Sequence, residues 1–134
     1  MTVHVAPDQM LATRKRDQGA QAYFSGCAAE AAVAKGYVAR GCALLESRWR
    51  GDAGEIDLIF RDGDEVVFVE VKKARSFEVA AERLRPAQAR RIHMAASEYL
   101  DHTPDGQLSL MRFDLALCNA AGEVDIREGA FSHF

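Results

Sequence analysis

The chain has little of what most often declares a protein's chemistry. Its 134 residues include three cysteines, Cys27, Cys42 and Cys118, which are odd in number, far apart and without a CxxC spacing. That argues against a disulfide frame or a cysteine-rich zinc site and leaves reduced, mostly buried thiols. No apolar run reaches the roughly 18 residues a bilayer span needs, so no membrane association is expected. The N-terminal stretch MTVHVAPDQMLATRKRDQ lacks the charged-then-apolar order of a secretory signal, which makes the cytoplasm the expected location. There is no P-loop and no GxGxxG. Ser25, Ser47 and Ser76 stand outside any nucleophile-elbow context, and His4, His93, His102 and His133 share no spacing. Repeats and low-complexity tracts are absent as well.

What is present is an ordinary globular composition, 49% hydrophobic and 28% charged, in a length that suits one domain with a sizeable core. The net charge of −3 makes the whole molecule no magnet for polyanions, but its distribution is uneven. Residues 72–91 carry seven Lys or Arg against Glu78 and Glu82, whereas residues 98–134 carry seven acids against Arg112 and Arg127. Such asymmetry lets a polyanion approach one side, and a solvated helix face accounts for the arginines equally well.

Residues 1–17, with the basic RKR at 14–16, show little periodicity and are expected to form a flexible arm before a single domain at 18–134. From Gln18 to Lys35 the chain is Ala-rich. The spacing of Ala20, Tyr23, Phe24, Cys27, Ala28, Ala31 and Ala32 predicts a helix face, with Gly36 as its end. A first strand is expected at 37–49, interrupted by Gly41. EIDLIF (55–60) and EVVFVEV (65–71) flank RDGD, the strongest short hairpin signal in the chain. A polar connection at 74–85 leads to a helix opened by Pro86 and running to about Leu100. LSLMRFDLALC (108–118), a turn at 119–123 and VDI (124–126) complete an order of helix, three strands, helix, two strands. The fold class is therefore α/β, one central mixed sheet flanked by helices.

The hairpin carries the chemistry. Glu55, Asp57, Glu70 and Lys72 interrupt runs otherwise made of Ile, Leu, Phe and Val, and a buried sheet does not take up charge without a reason. With Gly63-Asp64 as the loop, Asp57 lands opposite Glu70 and Glu55 opposite Lys72. With Asp62-Gly63 as the loop, Glu55 meets Glu70 and Asp57 is diagonal to it. Either register places all four on one face, while Ile56, Leu58, Phe60, Val67, Val69 and Val71 occupy the other. A Glu55–Lys72 ion pair at a solvated strand end explains two of them. It does not explain two opposed carboxylates, which destabilise a ladder. A cation would remove that conflict. Asp57 and Glu70 offer hard oxygen ligands suited to Mg²⁺ with several waters retained. Lys72 on the same face could hold an attacking water or developing phosphoryl charge.

An Asp on one strand followed by ExK on the next resembles the PD-(D/E)xK nuclease core, the restriction-endonuclease-like fold. The longer string is more specific. GEIDLI (54–59), VFVEVK (67–72), RFD (112–114) and AF (130–131) resemble the YraN-like family of bacterial proteins, itself similar to archaeal Holliday-junction resolvases. The resemblance covers roughly residues 18–131. It implies a Mg²⁺- or Mn²⁺-dependent endonuclease hydrolysing DNA, branched DNA included, and allows a homodimer, since such resolvases pair two sites. Asp57, Glu70 and the Val71 carbonyl then take the places of metal ligands and Lys72 that of the catalytic lysine. Glu30 takes the place of a helix glutamate near the metal, against the ordinary expectation that a helix Glu faces water. Glu55 matches the family motif and would pair with Lys72 and position it.

The chain also departs from the family. VKKAR (71–75) puts Lys73 where a small hydroxyl residue is usual and displaces the arginine to Arg75. AQARRI (87–92) puts Gln88 where a lysine is usual. Lys73, Arg75, Gln88 and Arg91 are the candidate nucleic-acid contacts, although Arg90 and Arg91 fit a solvated helix face as well. These departures keep open a second class of function, a non-catalytic nucleic-acid-binding or scaffold protein on the nuclease fold. Trp49, between Arg48 and Arg50, fits a core position at a strand end better than a base-stacking one.

Overall fold

The computed structural model describes residues 14–133, with side chains from residue 28 onward. Of the arm expected at 1–17, residues 1–13 lie outside the described residues and 14–17 form the first turn of helix α1 (Arg14–Ala39). The elements that follow are β1 (Ala43–Arg50), β2 (Glu55–Asp62), β3 (Glu65–Lys73), α2 (Phe77–Glu82), α3 (Pro86–Leu100), a 3₁₀ turn (Gly106–Leu108), β4 (Leu110–Cys118) and β5 (Val124–Arg127). The sheet order is β1-β2-β3-β4-β5, antiparallel except for the parallel β3–β4 pair that the α2–α3 crossover makes possible. The fold class expected from the sequence, α/β with a mixed sheet flanked by helices, is what forms.

Gly36 does not end α1. The helix runs on to Ala39, into the segment expected as the first strand, and a β-carbon at Gly36 would make only ordinary contact with the Ile126 Cδ1 of β5, at 3.5 Å. The helix is stopped instead at Gly41, with φ +91°, where the Cys42 N–H returns to the Tyr37 carbonyl. The buried stripe of its described part is Ala29, Val33 and Tyr37, spaced four apart, while Ala28 and Ala31 face solvent. The expected apolar face was one residue out of phase, because alanine at every second or third position does not by itself say which side a sheet will cover. Within the polar connection at 74–85 the structure places α2. Ser76 caps that helix by accepting from the Val79 N–H at 3.2 Å.

β3 is covered on both faces, which explains its nearly unbroken apolar run. Val66 and Phe68 pack under α2 and α3, whereas Val67 and Val69 pack under α1 with Tyr37 and Phe60. The Tyr37 and Phe60 rings stack at 4.4 Å. Cys42 and Cys118 are free and buried, as the spacing suggested, and burial raises both thiols above their ordinary pKa; the Cys27 side chain lies outside the described residues. Trp49 packs edge-on against Tyr99 at 5.3 Å at the margin of the α3-side core.

A second polar group sits within the sheet. Asp114 is fully buried and accepts from the Tyr37 hydroxyl (2.7 Å), the Gly129 N–H (2.9 Å) and Arg112 Nε (3.1 Å). The same arginine reaches Asp62 and Glu65, both at 2.9 Å. This network ties α1, the β2–β3 turn, β4 and the C-terminal segment together. It gives the RFD motif a structural role.

Candidate metal and phosphodiester site

The turn settles which hairpin register forms. Gly63 has φ +60°, the positive-φ glycine that a II′-type turn places first, and Asp62 pairs with Glu65. The ladder continues in that register to Leu58↔Val69 and stops there. Its direction carries Asp57 toward Glu70, as the Gly63-Asp64 loop requires. Beyond this point the strands cease to alternate regularly. Ile56 packs with the α3-side core although Leu58 packs with the α1-side core, so two residues expected on one face lie on opposite faces. Asp57 stands at that break.

The break corrects one expected pair. Lys72 Nζ meets Glu70 Oε2 at 3.0 Å, not Glu55. Glu55 turns to Arg50, its partner in the β1–β2 ladder, at 3.1 Å. With the alternation broken at Asp57, Glu55 no longer stands over Lys72 and its carboxylate goes to the exposed edge strand.

At the centre, the Asp57 and Glu70 carboxyls stand within hydrogen-bonding reach of each other, and Asp57 Oδ2 accepts from the Val71 N–H at 2.8 Å. Burial, and then the charge of Glu70, push the Asp57 carboxyl up to about 8, against the opposing pull of the Val71 N–H and Lys72. Two carboxylates drawn from water to this proximity repel each other when both are ionised, and the Lys72 ammonium at Glu70 offsets that repulsion only in part. Gln88, at the start of α3, donates to Glu70 Oε2 at 2.6 Å. A cleft of about 260 Å³ opens beside the pair, lined by Gly54, Glu55, Asp57, Glu70, Gln88 and Arg91 among others.

Glu30 approaches from α1. Burial raises its pKa, opposed by Arg48, while Asp57 and Glu55 lie close enough to raise it further. Its two oxygens are held by Arg48, Nε to Oε1 at 3.1 Å and Nη2 to Oε2 at 3.2 Å. The structure thus brings Asp57, Glu70, Lys72 and Gln88 into direct contact, with Arg91 on the cleft wall and Glu30 nearby. Lys73 and Arg75 are exposed past the end of the cleft rather than in its lining. Val71 contributes its N–H to Asp57 rather than a side chain.

Two residues escaped sequence reasoning. Arg48 passed there only as a neighbour of Trp49, and its contact with Glu30 spans 18 positions between a helix and an edge strand. Glu98 of α3 accepts from the Asp52 N–H (2.6 Å) and the Ala53 N–H (2.8 Å), securing the loop that delivers Glu55 and Asp57. No local pattern announces either residue. Glu98→Ala is expected to lower stability by about 1–3 kcal/mol, the usual effect of removing hydrogen bonds to a charged acceptor. Urea titration checks this, and an unchanged midpoint would mean the loop holds itself.

Divalent cations with oxygen preference fit the donor set. Two carboxylates held this close mark a place where positive charge is wanted, and carboxylate oxygens are what Mg²⁺ and Mn²⁺ take. Among the described residues, no group of three or more His, Cys, Asp or Glu side chains is gathered closely enough to form a complete cage. Two carboxylates with coordinated waters is the composition Mg²⁺ commonly accepts.

Fold and site together define an α/β protein with two carboxylates and a lysine let into one end of a mixed sheet. The chain belongs to the family described as Uncharacterised protein family UPF0102, whose model matches residues 29–118. A UPF0102 protein of Ruegeria pomeroyi is 53% identical over 116 residues, covering 87% of this chain and 94% of that protein. One of Roseobacter denitrificans is 49% identical over 125 residues, covering 92% and 97%. The site lies within the matched segment. Among the described residues no helix is long and apolar enough to cross a membrane.

Proposed function

We propose that this protein is a Mg²⁺- or Mn²⁺-dependent phosphodiesterase of the PD-(D/E)xK type acting on DNA, with branched DNA as a substrate class. The observation that carries the reading is the Asp57–Glu70 carboxylate pair lining an open cleft, with Lys72 on Glu70 at 3.0 Å. Asp57 and Glu70, with the Val71 carbonyl, would hold the cation. When bound, the cation supplies charge to polarise a scissile phosphate. Lys72 is anchored at one carboxylate oxygen, so its remaining ammonium hydrogens are placed to orient a water or meet charge developing on phosphorus. Arg91 on the cleft wall, with the exposed Lys73 and Arg75 beyond it, offers cations to the DNA backbone. A homodimer would supply the second site for a second strand.

One observation favours a second reading, a nucleic-acid-binding or scaffold protein without turnover. Lys72 and Gln88 both occupy Glu70 Oε2, and Gln88 takes part in the cleft instead of reaching out from α3.

Labelled single-stranded, duplex, flap and four-way-junction DNAs incubated with Mg²⁺, Mn²⁺ or EDTA separate the two. Metal-dependent cutting by the wild type, reduced at least about 100-fold in Asp57→Ala and Lys72→Ala, is the expected result. No cutting, with equal binding by wild type and variants, would leave the binding reading alone standing.

A further inference from the structure

Arg48 is the sole non-glycine residue among those described with a positive φ, +52°. The β1–β2 ladder pairs Ser47 with Leu58 and Trp49 with Ile56, which sets Arg48 across from Asp57 at the break in alternation. For an L-residue other than Asn, Asp or Gly, this left-handed backbone costs about 1–2 kcal/mol. The strained residue uses both prongs of its guanidinium on one carboxylate, Glu30, whose side chain is only 19% exposed. An arginine fork on a carboxylate fixes the plane of that carboxylate as well as its charge. Glu30 nevertheless forms no three-carboxylate cluster with Asp57 and Glu70.

Resting on the metal-site reading above, we propose that Arg48 is a positioning residue. From its left-handed backbone it holds Glu30 at a set distance from the Asp57–Glu70 pair. Glu30 is thereby kept out of direct contact with a cation there, and one coordination place remains for water. Held this way, Glu30 still has a second lone pair on each oxygen to accept a hydrogen bond from such a water. Released, Glu30 would be drawn onto the cation as a third carboxylate and displace it. The strain is then explained by the site it serves, since strand formation alone does not require it.

The experiment uses full-length protein and Mn²⁺ as the probe, with three readouts: metal-free melting temperature, Mn²⁺ affinity, and the number of coordinated waters from water-proton relaxation. Arg48→Gly accepts φ +52° without strain but takes from Glu30 its ion-pair partner, so without metal it is expected to melt lower than wild type, and Arg48→Gly/Glu30→Gln to melt higher than Arg48→Gly. Arg48→Gly is also expected to bind Mn²⁺ tighter, on the order of tenfold, because a third carboxylate adds ligand charge, and to lose one coordinated water. Arg48→Lys keeps the charge and Arg48→Gly/Glu30→Gln removes the competing carboxylate; both are expected to retain the wild-type water count. Loss of a positive charge alone would also tighten binding, so the water count decides. An unchanged count in Arg48→Gly would overturn the positioning role while wild-type Mn²⁺ binding leaves the metal site intact. Wild type that binds no Mn²⁺ in an Asp57-dependent way would remove both.

Discussion

Asp57→Asn is expected to melt higher than the wild type at pH 8 in the absence of metal, by about 5–10 °C, and to lose the response to Mg²⁺ or Mn²⁺. The expectation follows from the sign of the proton linkage. The Asp57 carboxyl is raised from 3.8 to about 8 in the folded protein. Between these pH values the folded state holds a proton that the unfolded state has released. Stability therefore falls as pH rises across that window, by up to about 1.4 kcal/mol per pH unit. Asparagine has the same shape, keeps an acceptor for the Val71 N–H, and can donate to Glu70 without needing the proton. The difference between variant and wild type should shrink toward pH 5, where the wild-type Asp57 is protonated. A divalent cation should do for the wild type at pH 8 what the substitution does, adding about 2.7 kcal/mol at a hundredfold excess over its Kd. Thermal melts from pH 5 to 9, with and without Mn²⁺, check all three statements. A variant that melts lower than wild type at pH 8 would show that the folded state does not raise the Asp57 carboxyl.

The second large effect lies away from the cleft. Asp114→Ala is expected to cost about 3–5 kcal/mol, the usual result of removing one partner from a buried ion pair. Three donors lose their acceptor at once: the Tyr37 hydroxyl, the Gly129 N–H and Arg112 Nε. The phenol cannot relieve the loss by ionising. Burial, with Asp114 alongside, pushes its pKa far above the ordinary value, and without Asp114 burial still does so. Asp114→Asn retains an acceptor and should cost less than the alanine variant. Tyr37→Phe removes one donor with its partner still satisfied by two others, and should cost about 1 kcal/mol. Urea midpoints order the three. If Asp114→Ala unfolds at the wild-type midpoint, the network does not hold α1 to the sheet.

Much of this arrangement was legible in the linear chain because it is local. A loop containing Gly63 between two apolar runs makes a hairpin, and a period of two then brings Asp57 toward Glu70 whatever the rest of the molecule does. The ExK spacing places Lys72 within reach of Glu70 by the same rule. Pro86 opening α3, the mixed sheet and the buried thiols follow from equally short-range preferences. Other features depend on contacts between distant segments. Which face of an Ala-rich helix is covered is decided by the sheet beneath it, so α1 buries Ala29, Val33 and Tyr37. Glu55 goes to Arg50 because the alternation breaks at Asp57, a break shared with the left-handed Arg48 on the neighbouring strand. Gln88 meets Glu70 only because the crossover sets the start of α3 over the end of β3. Sequence alone therefore determined the pair of carboxylates and its lysine, since strand geometry repeats every two residues. Tertiary structure decided how that pair is surrounded, because Glu30, Arg48, Gln88 and Glu98 reach the site or its loop from elements that only packing brings together.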